Sequence, residues 1–230
     1  MNRYRIWRTT VLVFSTGLLL PSLALAGPYA HDEGFFLRMS AGGGSAGTKL
    51  EIGGEFVEFT GTCGDVNFAI GGIVSPNLAL HGTIYGWVVS DPDLEIRTTE
   101  LNAAGPTNSD LTMGAVGIGM TYWFMPANIY LSTTIGSAGL TLEAAGLEYN
   151  WDRGLALDVT LGKEWWVGDA WGIGVAGGVI YHSLPETGVN ENWSGTSFAI
   201  RFTATHNCGD RVRGGGRQRD GDVAPASFEG

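Results

Sequence analysis

From Leu155 to Tyr181 the chain exchanges bulky apolar residues for small or polar ones at every second position, and that period restricts it to extended strands. Leu155, Leu157, Val159 and Leu161 alternate with Ala156, Asp158, Thr160 and Gly162. After a Gly168-Asp169-Ala170 turn, Trp171, Ile173, Val175, Gly177, Val179 and Tyr181 alternate with Gly172, Gly174, Ala176 and Gly178. Successive side chains leave opposite faces of a pleated strand, so the short turn pairs these two stretches antiparallel. Trp165, Trp166 and Trp171 crowd the turn, where a membrane-crossing hairpin carries its interfacial aromatics.

The same alternation recurs over 35–43, about 65–74, 78–88, 112–124, 129–135 and 196–205. Three connections are short (75–77, 125–128 and 168–170), each with Gly, Pro or Asn in the turn. The other four are long: a Gly-rich bend leading to a hairpin tip at Gly53-Gly54, then 90–110, 136–153 and 183–193. Long and short connections alternate strictly. The expectation is an all-β fold, an eight-stranded up-and-down antiparallel barrel, closed because an even strand number returns the last strand beside the first. A soluble barrel or sandwich is the competing β architecture, and it needs a polar outer file. Here one file of each strand is Leu, Ile, Val or Phe and the other mostly Gly, Ala, Ser or Thr. The expected spans hold only Arg38, Asp65, Asp158, Lys163, Glu164 and Arg201 as charges. That distribution fits lipid outside and a filled interior.

The first 26 residues read as an export signal: Arg3, Arg5 and Arg8, an apolar run at 11–20, and Ala24-Leu25-Ala26 before Gly27. The run is short for a transmembrane helix of about 20 residues. Three domains follow from this reading: a signal peptide at 1–26, a barrel at 27–207, and a Gly/Arg/Asp-rich disordered tail at 208–230. The chain carries 13 basic and 23 acidic residues; losing three arginines takes its formal charge from −10 to −13. Scarce Lys and Arg argue against nucleic acid as a partner. No cofactor and no metal site is expected.

The stretches GMTYWFMPANIYLS (119–132) and LGKEWWVGDAWGIGVAGG (161–178), set in this architecture, resemble the small eight-stranded outer-membrane barrels of the OmpA/OmpX-like class. The resemblance spans about 35–205. It implies location in a bacterial outer membrane, contact with the lipid bilayer and lipopolysaccharide, and assembly by the barrel-insertion machinery. The class includes adhesins, complement-evasion proteins, anchors and lipid-modifying enzymes, so it does not name an activity. Such barrels often end on a C-terminal aromatic; here Phe202 is the last aromatic of the final strand and 208–230 follows.

Parity places Arg38, His81, Tyr85, Asp158, Glu164 and Arg201 on inward files. An eight-stranded barrel is filled by side chains, so these charges should pair. The expectation is a cluster of Arg38, Arg201 and Glu164, with His81 and Tyr85 near it and Asp158 higher, acting as a structural plug in preference to a gated ion path. Trp165, Trp171, Tyr122 and Phe124 are expected as an interfacial aromatic belt. Lys163 has outward parity; either its stem snorkels to the headgroups or a bulge changes its face. Fourteen acids fall in the expected outer loops, Asp65 among them, against Lys49, Arg97 and Arg153. They serve as solvated loops, or meet divalent cations, lipopolysaccharide or a basic partner surface. His182-Ser183 with Glu186 is the one set suited to acyl chemistry, yet adjacent strand residues face opposite ways, so no enzyme is expected and His182 reads as an exposed rim residue. Cys63 and Cys208 fall at opposite ends of the barrel, too far apart to bond. The function expected is a monomeric outer-membrane barrel with a structural or surface-display role, four acidic loops outermost. An adhesin is the alternative, ahead of a lipid A-modifying enzyme or a narrow channel.

Overall fold

The alternation does produce strands, and they are longer than the sequence periodicity marks. In the computed structural model, residues 31, 34–97, 108–168, 170–186, 188 and 190–208 are described. The expected signal peptide, and all of the expected tail but Cys208, lie outside them. Ten strands form one antiparallel sheet: β1 (Gly34–Ile52), β2 (Glu55–Ser75), β3 (Leu78–Ser90), β4 (Asp93–Arg97), β5 (Ser109–Phe124), β6 (Ile129–Ala144), β7 (Leu147–Asn150), β8 (Gly154–Trp166), β9 (Trp171–Pro185) and β10 (Asn192–Cys208). Eight of them run in the order β1-β10-β9-β8-β6-β5-β3-β2, and β2 pairs back onto β1. The ring is closed. The chain folds as a small eight-stranded β-barrel, and closure leaves the eight wall strands without an unpaired edge.

The short turns gather at one end, here the lower, and the long connections at the other. Left-handed backbone suits the residues found there: Asn77 has φ 62° and Asn128 has φ 51° at the lower turns. At the top of the first hairpin, Gly53 (φ 62°) and Gly54 (φ 91°) are both positive, as the favoured two-residue hairpin turn requires.

Two expectations need correction. The Gly-rich segment after Gly42 is not a bend: β1 and β2 pair without interruption from Gly34 opposite Ile73 to Ile52 opposite Glu55. The segments 90–110 and 136–153 are not wholly loops. β4 lies along β2 above β3, with Phe56 opposite Arg97 and Thr60 opposite Asp93. β7 folds back on the top of β6, Ala144 opposite Leu147. At 21 residues, β2 is about 70 Å long at about 3.3 Å per residue.

The wall therefore has two storeys of opposite character. In the lower one the outward file is apolar: Val66, Phe68 and Ile70 on β2, Val116, Ile118 and Met120 on β5, Phe198, Ile200 and Phe202 on β10. In the upper one the outward file is polar: Thr60 and Thr62 on β2, Asp110 and Thr112 on β5, Ser194 and Thr196 on β10. The interior reverses with it. Polar and charged groups fill the lower lumen, while Phe59, Trp87, Leu111, Met113, Leu140, Leu184 and Trp193 make a contiguous apolar core above.

Candidate functional site

The only concentration of buried charge among the described residues is the lumen, which can be followed from its lower end. His31 closes that end. Its ring stacks on Trp123 at 4.1 Å between centroids, and its two nitrogens lie 3.1 Å from Asn128 Oδ1 and 2.8 Å from Asn207 Nδ2. Phe36 also packs edge-on against Trp123, 5.5 Å between centroids.

One layer up sit Arg38, Glu164 and His81. Arg38 Nη2 donates to Ser132 Oγ at 2.7 Å and Thr121 Oγ1 at 3.2 Å, and the guanidinium lies 4.6 Å from the Tyr130 ring centre. Glu164 accepts from Trp123 Nε1 at 3.1 Å and from the Thr205 hydroxyl. His81 lies 3.0 Å from Thr121 Oγ1 through Nε2 and 2.7 Å from Thr83 Oγ1 through Nδ1. Hydroxyls thus link Arg38 and His81 into one network.

The middle layer is the ionic one. Arg201 forks onto Asp65, Nε to Oδ1 at 2.5 Å and Nη2 to Oδ2 at 3.0 Å. Its Nη2 also donates to Asp158 Oδ2 at 2.7 Å, and its Nη1 to Thr160 Oγ1 at 2.6 Å. All three charged residues are at most 2% exposed. Planar bidentate pairing is what a guanidinium does best. Glycine makes room for it: a Cβ on Gly178 would lie 2.5 Å from Arg201 Cζ, and one on Gly162 2.5 Å from the Tyr130 ring. On β8 and β9 the small file is therefore the seat of large polar side chains from the neighbouring strand.

Every residue expected on an inward file is buried there: Arg38, His81, Tyr85, Asp158, Glu164 and Arg201. Their pairing differs from expectation. Arg38, Arg201 and Glu164 do not form one cluster. Arg201 takes Asp65 and Asp158, whereas Arg38 and Glu164 each take neutral partners a layer below. Tyr85 joins the apolar core and donates to the Ala156 carbonyl at 2.9 Å. Asp65 is not a loop acid but the principal partner of Arg201. His182 is not an exposed rim residue: it is fully buried, 3.0 Å from Thr48 Oγ1. Ser183 lies on the opposite face of β9, so the suspected acyl-transfer set is not assembled.

Tyr122, Phe124, Trp165 and Trp171 all face outward at the lower rim, each between 40% and 47% exposed. Lys163 keeps its outward parity; its ammonium donates to the Ala127 carbonyl in the lower turn and lies 5.5 Å from the Trp165 ring centre. Cys63 is a free, buried thiol. Its position lies opposite Gly44 of β1, while Cys208 lies opposite Phe35, far down the same strand.

Sequence reasoning missed Asp65, Thr160, Trp123, Tyr130 and His31. For Asp65 the signal was present: it shares parity with Asn67 and Ala69, and only the assumed strand end hid it.

No family model matches the chain, and no curated protein matches it. Among solved structures it is similar to Neisserial surface protein A (NspA), at 11% identity and a TM-score of 0.49, covering 76% of this chain and 97% of that one. It is also similar to the outer membrane protein AlkL in lipid bilayers, at 13% identity and a TM-score of 0.43, covering 90% of this chain and 96% of that one. Another is Ail, the attachment invasion locus protein of Yersinia pestis, in complex with a heparin analogue: 11% identity, a TM-score of 0.40, 75% of this chain and 99% of that one. The barrel assignment stands on the closed strand ring itself.

Proposed function

We propose that the chain is an integral outer-membrane barrel, closed to permeation, that carries acidic loops on a rigid stem outside the cell. The observation that carries this is the reversal of sidedness. An outward apolar band with Phe68, Ile118 and Ile200 at 41%, 73% and 70% exposure has no place in water. A spanning strand needs about 9–11 residues tilted across a band about 25 Å tall, and the outward runs from Val66 to Val74 and Val116 to Phe124 are of that length. The aromatics Tyr122, Phe124, Trp165 and Trp171 then form the periplasmic girdle, with Lys163 folded into it. Above the band, water meets a β surface of Thr, Ser and Glu over an apolar core, as in a soluble barrel.

Three layers oppose passage through the lumen: the His31 cork, the Arg201 ion-pair girdle and the upper apolar core. Display is the role that remains for such a stem. Asp91, Asp93, Glu143, Glu148, Asp152 and Glu191 cluster at its outer end, suited to divalent cations, neighbouring lipopolysaccharide or a basic surface on a partner. The barrel acts as a monomer, and β10, with Phe198, Ile200 and Phe202 outward, offers the insertion machinery its final strand.

The test is gel mobility of the outer-membrane fraction with and without boiling, together with planar-bilayer recording. A boiling-dependent shift and electrical silence are expected. A soluble protein with no shift would overturn the membrane reading, and steady conductance would overturn closure.

A further inference from the structure

The upper end of the barrel has a mouth that the display role does not use. It is a cavity of about 410 Å³ above the apolar core, walled by Phe59, Tyr149, Trp151 and Trp193 and edged by Asp152 and Glu186. β2, the segment after β7, and both ends of the β9–β10 connection each contribute to it. We infer that this mouth binds an organic ammonium ion carried on an apolar body. The inference rests on the proposed orientation, which turns the mouth toward the cell exterior.

Ring geometry supplies the first argument. Trp151 meets Trp193 edge-on at 5.4 Å with the planes 65° apart, so the two rings form a corner, and Phe59 lies 5.9 Å from Trp193. Trp193 is pinned twice. Its Nε1 donates to Glu186 Oε2 at 2.6 Å, and its ring is 6% exposed. Trp151 is held through its backbone amide, which donates to the Leu140 carbonyl at 3.0 Å. Aromatic faces carry partial negative charge, and a corner of them attracts a cation whose own shell is apolar.

Charge supplies the second. Among the described residues, both ionisable side chains that line the cavity, Asp152 and Glu186, are acids. A concave mouth of one sign over low-dielectric walls concentrates ions of the other. A divalent metal is the poorer occupant. Calcium takes six to eight oxygens, and no group of three or more His, Cys, Asp or Glu suited to a metal occurs among the described residues. The floor is the apolar core, so a charged headgroup rests at the rim while its apolar part enters among the rings.

The experiment titrates benzyltrimethylammonium into the full-length mature protein in lipid nanodiscs, read by tryptophan fluorescence and calorimetry. Saturable binding with a fluorescence change is expected, weakened about tenfold or more by Trp151→Ala, a cation–π loss of ordinary size. The double variant Asp152→Asn/Glu186→Gln should weaken it likewise. Glu51→Gln/Glu55→Gln, at the far hairpin tip, should leave it within about twofold. Equal binding of the neutral tert-butyl isostere, no saturable binding, or equal loss in the hairpin-tip variant would overturn the inference. Each variant is first shown to keep its boiling-dependent mobility. That shift tests the barrel reading alone, so a protein that shifts but does not bind refutes only the ammonium site.

Discussion

β5 carries both storeys on one strand, and the contrast within it explains the molecule. Near its upper end, Asp110 and Thr112 face out while Leu111 and Met113 are buried; lower down, Val116, Ile118 and Met120 face out while Gly117, Gly119 and Thr121 face in. What surrounds the wall decides what fills it. Where water lies outside, burial of apolar side chains drives the interior together. Where lipid lies outside, that drive is absent, and the lumen must be held by hydrogen bonds and ion pairs whose loss leaves polar groups stranded. Identical backbone geometry thus serves two solvents.

Substitutions can break that contrast in order of size. The largest effect is expected in the lower lumen. Arg201→Met strands Asp65 and Asp158, and removing one side of a buried pair costs about 3–5 kcal/mol. Urea unfolding in lipid vesicles measures it, and restoring Lys at the position should recover only part, because the two-pronged contact is lost. Next comes the upper core. Leu111→Ala should cost about 2–5 kcal/mol in the same assay, whereas Leu161→Ala, 57% exposed on the lower wall, should cost far less because lipid refills the space.

A charge on the outside should sharpen the boundary between storeys. Ile118→Arg should lose about 2–4 kcal/mol as a cation set in the middle of the band, while Thr112→Arg, three positions of the same file higher, should stay within about 0.5 kcal/mol. Equal losses would erase the distinction. The smallest effect is expected at Tyr85, where Phe removes one hydrogen bond to the Ala156 carbonyl and about 1 kcal/mol with it.

Much of this architecture was legible because period two is a local property. The inward parity of Arg38, His81 and Arg201, the tip at Gly53-Gly54 and the turns at Asn77 and Asn128 all follow from neighbours along the chain. The pairing of charges was not legible. Arg201 and Asp65 lie on strands separated in the ring by β1, and which residues meet across a lumen depends on strand tilt and stagger, which no single strand encodes. The same limit concealed the mouth, whose rings come from β2, from β7 and the turn after it, and from the start of β10. Strand ends misled for a different reason. The upper parts of β1, β2 and β6 keep period two but exchange the faces, so a search for apolar residues on the outer file stops at the boundary between storeys and takes the rest for loop. His182 and Asp65 were misplaced by that one error.

The reversal of sidedness is most directly tested by spin labels on the outward file of β5 in vesicles, at Thr112 and Ile118, in a Cys63→Ser/Cys208→Ser background. A label at Ile118 should be relaxed by dissolved oxygen and shielded from a water-soluble nickel chelate, and a label at Thr112 should show the opposite. Two labels equally open to the nickel chelate, or equally shielded from it, would contradict the account.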